Sequence, residues 1–237
     1  MLSRVILVVL LILVNNLTYA ENSIKLINKD GVMFLPDSDM AFIGIYKEYF
    51  DSGTLKSTSE YIEGLKNGKE TYYYDNGNKR LEINFINNSQ EGTETHYYEN
   101  GIKKAEISIK HGIKDGPMIA WYPNGAFLGF SLFKNNKHDE ISYAWHDNGN
   151  KRAVGHFNDG EQNGVEIQYH RNGLKKIEAA FKDGKLNGIE RQWYESGGKK
   201  SKILYRHGKR LRKIFWNEDG SIAKGIEANE IDTKFTH

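Results

Sequence analysis

The sequence predicts an all-β chain made of β-hairpins that repeat every 24 residues. Three observations carry that prediction. The turn glycines Gly53, Gly77, Gly101, Gly125, Gly149, Gly173 and Gly197 follow one another at 24-residue steps, most of them in an x-N-G turn. Four residues before each stands an aromatic: Tyr49, Tyr73, Tyr97, Trp121, Trp145, Tyr169 and Trp193. A second apolar series, Tyr61, Phe85, Ile109, Phe133, Phe157, Phe181 and Tyr205, keeps the same step. A fixed period governs how every residue inside it is read, because each copy is one supersecondary unit.

The units open on Gly44, Gly68, Gly92, Gly116, Gly164 and Gly188, with Glu140 standing where the fifth glycine would be. Each unit holds two runs of about seven residues, one on either side of the x-N-G turn. A unit of that length with two turns leaves no room for a helix, so each is read as a hairpin. The turn sets the parity of the strands. Asp75-Asn76-Gly77 reads as a three-residue loop, a type I turn closed by glycine in the left-handed region. Tyr73 then faces Lys79, Thr71 faces Leu81 and Lys69 faces Ile83. In this register Tyr73, Leu81, Ile83 and Phe85 share one face, while Glu70, Arg80, Glu82 and Asn84 take the other. Pro123, just before Asn124-Gly125, suits the first central position of such a turn. By the same parity Arg191 and Trp193 face the buried side, and Asp183 to Gly188 connects two hairpins.

Outside the repeats the chain changes character. Arg4 followed by the apolar run Val5 to Val14 and the small residue Ala20 predicts a signal peptide over 1–20, cut after Ala20, and an exported product in the periplasm or outside the cell. Residues 21–43, with strand-like Ser23 to Ile27 and Val32 to Leu35, are expected to form an N-terminal cap. The seven repeats occupy 44–211. Residues 212–237 hold a partial eighth repeat, with Trp216 and Gly220 one residue early, and a C-terminal cap or tail.

Composition fits short strands joined by glycine turns: 24 Gly against 3 Pro, with aromatics at 12%. Without Arg4 the balance is 32 basic to 31 acidic side chains, so no long-range field recruits nucleic acid or an anionic membrane. With no cysteine, an exported chain gains neither disulfides nor an acylated N-terminal Cys.

The unit G-x-x-x-x-Y-Y-x-N-G-x-K-K-x5-F-x-x-G resembles the variant membrane occupation and recognition nexus (MORN) repeat, over about four-fifths of the chain. The lead-in from Leu35-Pro36 through Ala41-Phe42-Ile43-Gly44 to Tyr49 is similar to that of the bacterial YwqK-type antitoxin-like family. The resemblance implies an elongated, twisted single sheet of successive antiparallel hairpins, a MORN-like meander or solenoid, serving mostly as an interaction scaffold.

Glu70 with Glu82, Glu94 with Glu106, and Glu166 with Glu178 are expected to face each other, but they recur as a surface rhythm among Arg80, Lys104 and Lys176, which reads as a solvated charge ladder. His146 and His170 hold equivalent positions two strands apart, about 10 Å, too far to share a metal. His96, His111 and His207 fall at turns or on the polar face. The basic pairs Lys79-Arg80, Lys103-Lys104, Lys151-Arg152, Lys175-Lys176 and Lys199-Lys200 line one edge. No nucleophile elbow, phosphate loop or cofactor fingerprint is present, so no catalytic, metal or cofactor residue is assigned. Unit four breaks the pattern. It places Met118, Ala120, Leu128, Phe130 and Leu132 on the face expected to be polar, and Ala144 and Val154 extend this patch into unit five, as a surface covered by a partner, a second copy or the chain's own C-terminal segment would.

These readings point to an exported, non-enzymatic scaffold that binds a protein partner or a second copy of itself. An antitoxin or immunity-type protein that binds a toxin is the first alternative. A module for envelope lipid or glycan is the second. Nucleic acid is not an expected partner.

Overall fold

The computed structural model describes residues 24–223. The expected leader over 1–20 and the tail from 224 lie outside these residues. A short hairpin, β1 (Ile27–Lys29) and β2 (Val32–Phe34), precedes the repeats. One antiparallel sheet then runs through β3 (Gly44–Tyr49), β4 (Leu55–Ile62), β5 (Leu65–Tyr73), β6 (Lys79–Ile86), β7 (Ser89–Gln90), β8 (Gly92–Tyr97), β9 (Lys103–Lys110), β10 (Ile113–Trp121) and β11 (Phe127–Lys134). It continues through β12 (Lys137–Trp145), β13 (Lys151–Asn158), β14 (Glu161–Gln162), β15 (Gly164–Tyr169), β16 (Lys175–Lys182), β17 (Lys185–Trp193), β18 (Lys199–Arg206) and β19 (Lys209–Phe215). β19 pairs with β18 and β3 with β4, and the sheet is not closed. The fold is the all-β hairpin array that the period predicts, with no helix among the described residues.

Two kinds of turn alternate. At each x-N-G the loop holds three residues: Tyr74 N–H donates to Asn78 O (2.8 Å), Gly77 N–H donates to Tyr74 O (2.9 Å), and Gly77 has φ +85. Pro123 takes the first central position of its copy, where Gly125 N–H bonds to Tyr122 O. An eighth turn of this kind closes at Asn217–Ser221 and brings Trp216 opposite Ile222. The other connections are two-residue turns with positive φ at both residues, as at His111-Gly112 (51 and 76) and Asp183-Gly184 (51 and 71). These are type I′ turns, whose twist matches that of the strands. Asp183-Gly184 alone therefore joins β16 to β17, and Lys185 to Gly188 already belong to β17.

The expected register holds only at the turn. Tyr73 lies opposite Lys79, but Tyr72 then pairs with Leu81, Glu70 with Ile83 and Gly68 with Phe85. Arg80 is the extra residue of a β-bulge, and one extra residue sends every later side chain of the strand to the other face. The same shift recurs beside each x-N-G turn, between Tyr97 and His96 and between Trp193 and Gln192, for example. The two apolar series consequently lie on opposite faces. Face A carries Tyr61, Phe85, Ile109, Phe133, Phe157, Phe181 and Tyr205. Face B carries Tyr49, Tyr73, Tyr97, Trp121, Trp145, Tyr169 and Trp193.

A second irregularity explains the unit-opening glycines. In β5, Asn67, Gly68 and Lys69 stand against the single residue Glu60, with Gly68 at φ +119. A Cβ on Gly68 would meet Glu60 Cβ at 3.0 Å, and one on Gly188 would meet Ala180 Cβ at 2.9 Å. Glu140, which replaces glycine in unit five, adopts φ +57.

Adjacent units are tied along both margins. On the three-residue side, Tyr74 Oη donates to Tyr97 O (2.9 Å), Tyr98 Oη to Trp121 O (2.9 Å), Tyr122 Oη to Trp145 O (2.9 Å) and Tyr194 Oη to Trp216 O (2.8 Å). His146 and His170 replace tyrosine in this ladder and reach Tyr169 O and Trp193 O at 3.0 Å, which requires the proton on Nε2 because a carbonyl only accepts. On the other margin the turn amides bond back one unit, Gly112 N–H to Gln90 O (2.9 Å) and Gly208 N–H to Leu186 O (2.8 Å). The hairpin β1–β2 joins the same margin, through Met33 N–H to Gly64 O (2.8 Å) and Asn88 Nδ2 to Gly31 O (2.9 Å). Its first strand begins at Ile27, at the end of the stretch expected for it.

Burial concentrates on face A. Tyr61, Ala105, Ile107, Ile109, Ala179 and Ile203 are buried there, as are Ser57, Ser59 and Glu70. With no second layer, neighbouring side chains on that face must cover one another. Arg191 and Trp193, expected on the buried side, lie on face B and are half-buried.

Candidate functional site: the two faces of units four to six

The ordinary units show what a charged copy of each face does. On face A a glutamate recurs at Glu70, Glu94, Glu166 and Glu190. Glu70 accepts from Ser59 Oγ (2.9 Å) and is paired with Lys66. Glu94 is held by His96 and Gln90, the hydrogen bond from His96 being the main reason its carboxyl lies below the usual range. Glu166 accepts from Gln162 and Gln168, each at 2.6 Å. His96 therefore belongs to the more buried face, not to a polar one, whereas His111 and His207 open two-residue turns.

On face B the charges pair along and across strands. Lys79 meets Glu82 (2.8 Å), Lys103 meets Glu106 and Lys175 meets Glu178 (2.7 Å). Tyr97 Oη also donates to Glu82, and Arg191 reaches Glu178 at 3.0 Å. Burial disfavours the charge on Glu82, but the bonds from Lys79 and Tyr97 and the nearby Lys69 outweigh it and hold its pKa at about 2.

The expected carboxylate pairs do not form. Glu70 lies opposite Ile83, Glu94 opposite Ile107 and Glu166 opposite Ala179. The bulge puts the two members of each expected pair on opposite faces, so no acid–base couple is assembled from them. The charge ladder is real but uses the first cation of three of the five basic pairs, Lys79, Lys103 and Lys175. In units two, three and seven the second cation turns to an aromatic ring, Arg80 over Tyr72, Lys104 over Tyr98 and Lys200 over Tyr194, each about 5.6 Å from the centroid.

Units four to six depart from this scheme on both faces. The seven residues expected to form one patch are divided between them. Phe130, Leu132 and Val154 lie on face B; Met118, Ala120 and Ala144 lie on face A; Leu128 is the bulge residue between them. The bulge that displaces Arg80 is again the reason.

On face B these three residues join a larger strip. Ile119, Trp121 and Phe127 flank Phe130 and Leu132 in unit four, Ile141, Tyr143 and Trp145 flank Val154 in unit five, and Val165 and Ile167 continue it into unit six. Phe127 packs on Trp145 with ring centroids 4.7 Å apart, and Tyr143 on the same indole at 5.8 Å. Phe127 nevertheless remains 38% exposed and Val165 44%, so part of the strip stays open to solvent. Unit two carries Lys69, Thr71, Lys79, Glu82 and Asn84 at the matching positions.

On face A the same units lose bulk. Met118 and Ser142 replace the recurring glutamate, and Ala120, Gly129, Ser131, Ala144, Ala153 and Gly155 stand where unit two has Tyr72, Leu81 and Ile83. A depression of about 250 Å³ results. The sequence marks this region by its missing charges but does not mark Trp121 and Trp145 as members of the strip, since they keep the period and read as repeat aromatics.

A family model for the MORN repeat variant matches the chain at four places, residues 43–63, 66–87, 90–111 and 186–207. Repeats of this kind are generally protein- or membrane-interaction repeats and typically form non-catalytic scaffolds. Residues 112–185, which carry the departures on both faces, fall outside these matches. No curated protein matches the chain.

Proposed function

We propose that this chain is an exported, non-catalytic scaffold that captures a protein partner through face B of units four to six. The observation that carries the reading is the strip from Ile119 to Ile167: an apolar area bounded by charge-paired units is the usual mark of a protein contact site. Trp, Tyr and Phe on rigid strands supply large contact area at little entropic cost. The apolar run Val5 to Val14 and the small residue Ala20 support export. The immunity-type alternative, suggested by the likeness of the lead-in to YwqK-type antitoxin-like proteins, differs only in the partner, and a gene for a secreted toxin beside this one would favour it.

The test is affinity capture from a native envelope fraction with the wild type and Phe130→Glu. The variant is expected to stay folded and to lose the partner. A folded variant that retains the partner refutes the reading, and an unfolded one shows that Phe130 is core instead.

A further inference from the structure

We propose that the hollow on face A of units four and five binds the carboxyl-terminal residue of a polypeptide, with its side chain on the apolar floor and its carboxylate on Arg152 and Lys176. The site lies on the opposite face from the strip of the proposed function and does not depend on it. The floor is apolar and low: Met118, Ala144, Ala153 and Phe157 line the 250 Å³ depression. A second recess of about 370 Å³, lined by His146, Arg152, Gln168 and Lys176, adjoins it through Arg152 and Ala153, which line both. Together they reach the range of about 300–1,000 Å³ in which small ligand groups are held.

The two cations are the second observation. Their equivalents Lys104 and Lys200 rest on Tyr98 and Tyr194. In units five and six that tyrosine is a histidine whose Nε2 is committed to a strand carbonyl, and Arg152 and Lys176 have neither a ring nor an ion pair among the described residues. The one carboxylate at the hollow, Glu166, is engaged by Gln162 and Gln168. An apolar floor ending at two uncommitted cations is complementary to an apolar side chain with a carboxylate beside it, which is the chemistry of a peptide terminus. The recess abuts His146, where a three-residue turn begins, so a peptide lying along the floor meets the cations at its end.

Fluorescence polarisation of the mature chain with an N-terminally labelled hexapeptide ending in leucine tests this. The free acid is expected to bind, its C-terminal amide to bind at least about tenfold more weakly, and Arg152→Gln and Lys176→Gln each to cost about tenfold, as loss of one charge-assisted bond would. Ala153→Phe, which fills the floor, should abolish binding, while Lys104→Gln and Lys200→Gln should leave it unchanged; circular dichroism confirms that each variant is folded. Equal binding of acid and amide, equal binding of an amidated peptide with an internal glutamate, no binding of the acid at about 1 mM, or equal losses in the control variants would each overturn the proposal. Loss of partner capture in Phe130→Glu is a separate readout, because the titration measures the peptide carboxylate at Arg152 and Lys176 with Phe130 unchanged.

Discussion

Replacing Gly188 by alanine adds one methyl group at a point where the account leaves no room for it. The backbone there has φ +124, and the new Cβ would stand 2.9 Å from Cβ of Ala180, an atom that cannot swing aside because it is fixed to the opposing strand. Gly149 is the natural control. Its φ is +85 and nothing lies within 4 Å of an added Cβ, so Gly149→Ala bears the left-handed penalty alone, about 1–2 kcal/mol. Gly188→Ala bears about 1–3 kcal/mol for a backbone region that side chains avoid, together with about 1–3 kcal/mol for overpacking. The expected loss is about 3 kcal/mol, and about 2 kcal/mol more than the control. Urea unfolding followed by far-ultraviolet circular dichroism measures both. Ala180→Gly in the Gly188→Ala background should recover the packing part but not the backbone part. Equal losses at Gly149 and Gly188, or no recovery in the double variant, would refute the idea that the unit-opening glycine exists to let the opposing side chain fold over the bulge.

Other outcomes follow from the same geometry. Tyr98→Phe or Tyr122→Phe removes one rung of the ladder between units and should cost about 1 kcal/mol in the same urea assay. Glu82, with its pKa held at about 2 against an ordinary 4.5, contributes stability that is complete above the ordinary value and is lost as pH falls from there toward 2. An acid titration of the unfolding midpoint should show that limb, and Glu82→Gln should flatten it. Burial first, and then the nearby Glu70, raise the pKa of Tyr72 to about 12, so the folded state resists losing that proton. Stability should therefore fall as pH rises from about 10 toward 12, and Tyr72→Phe should shrink that loss.

The period, the hairpins and the three-residue turns were legible because each depends on local chemistry: an aromatic, a turn dipeptide and a glycine at fixed offsets. Type I′ turns such as Asp183-Gly184 are equally local, yet in the sequence the glycine of the next bulge, Gly188, reads as the end of the same connection. The bulge at Arg80 was not legible. Nothing in an arginine after a lysine announces that it will be left unpaired, and one unpaired residue reverses the face of the whole following strand. That single step explains why the expected Glu70–Glu82 pair is split between the faces and why the unit-four patch proved to be two features. The buried face was also disguised by its composition. Glu70, Ser57 and Ser59 are polar but satisfied by one another and by Glu48 and Lys66, so alternation of apolar and polar residues does not mark it.

The central claim is that a protein partner seats on face B of units four to six. Oxidative footprinting of the captured complex tests it within one molecule, because Trp193 lies on the same face in unit seven and serves as an internal reference. The account predicts that Trp121, Phe127 and Trp145 become protected on complex formation while Trp193 keeps the labelling rate of the free chain. Unchanged labelling of Trp121 and Trp145, or protection confined to Trp193, would contradict it.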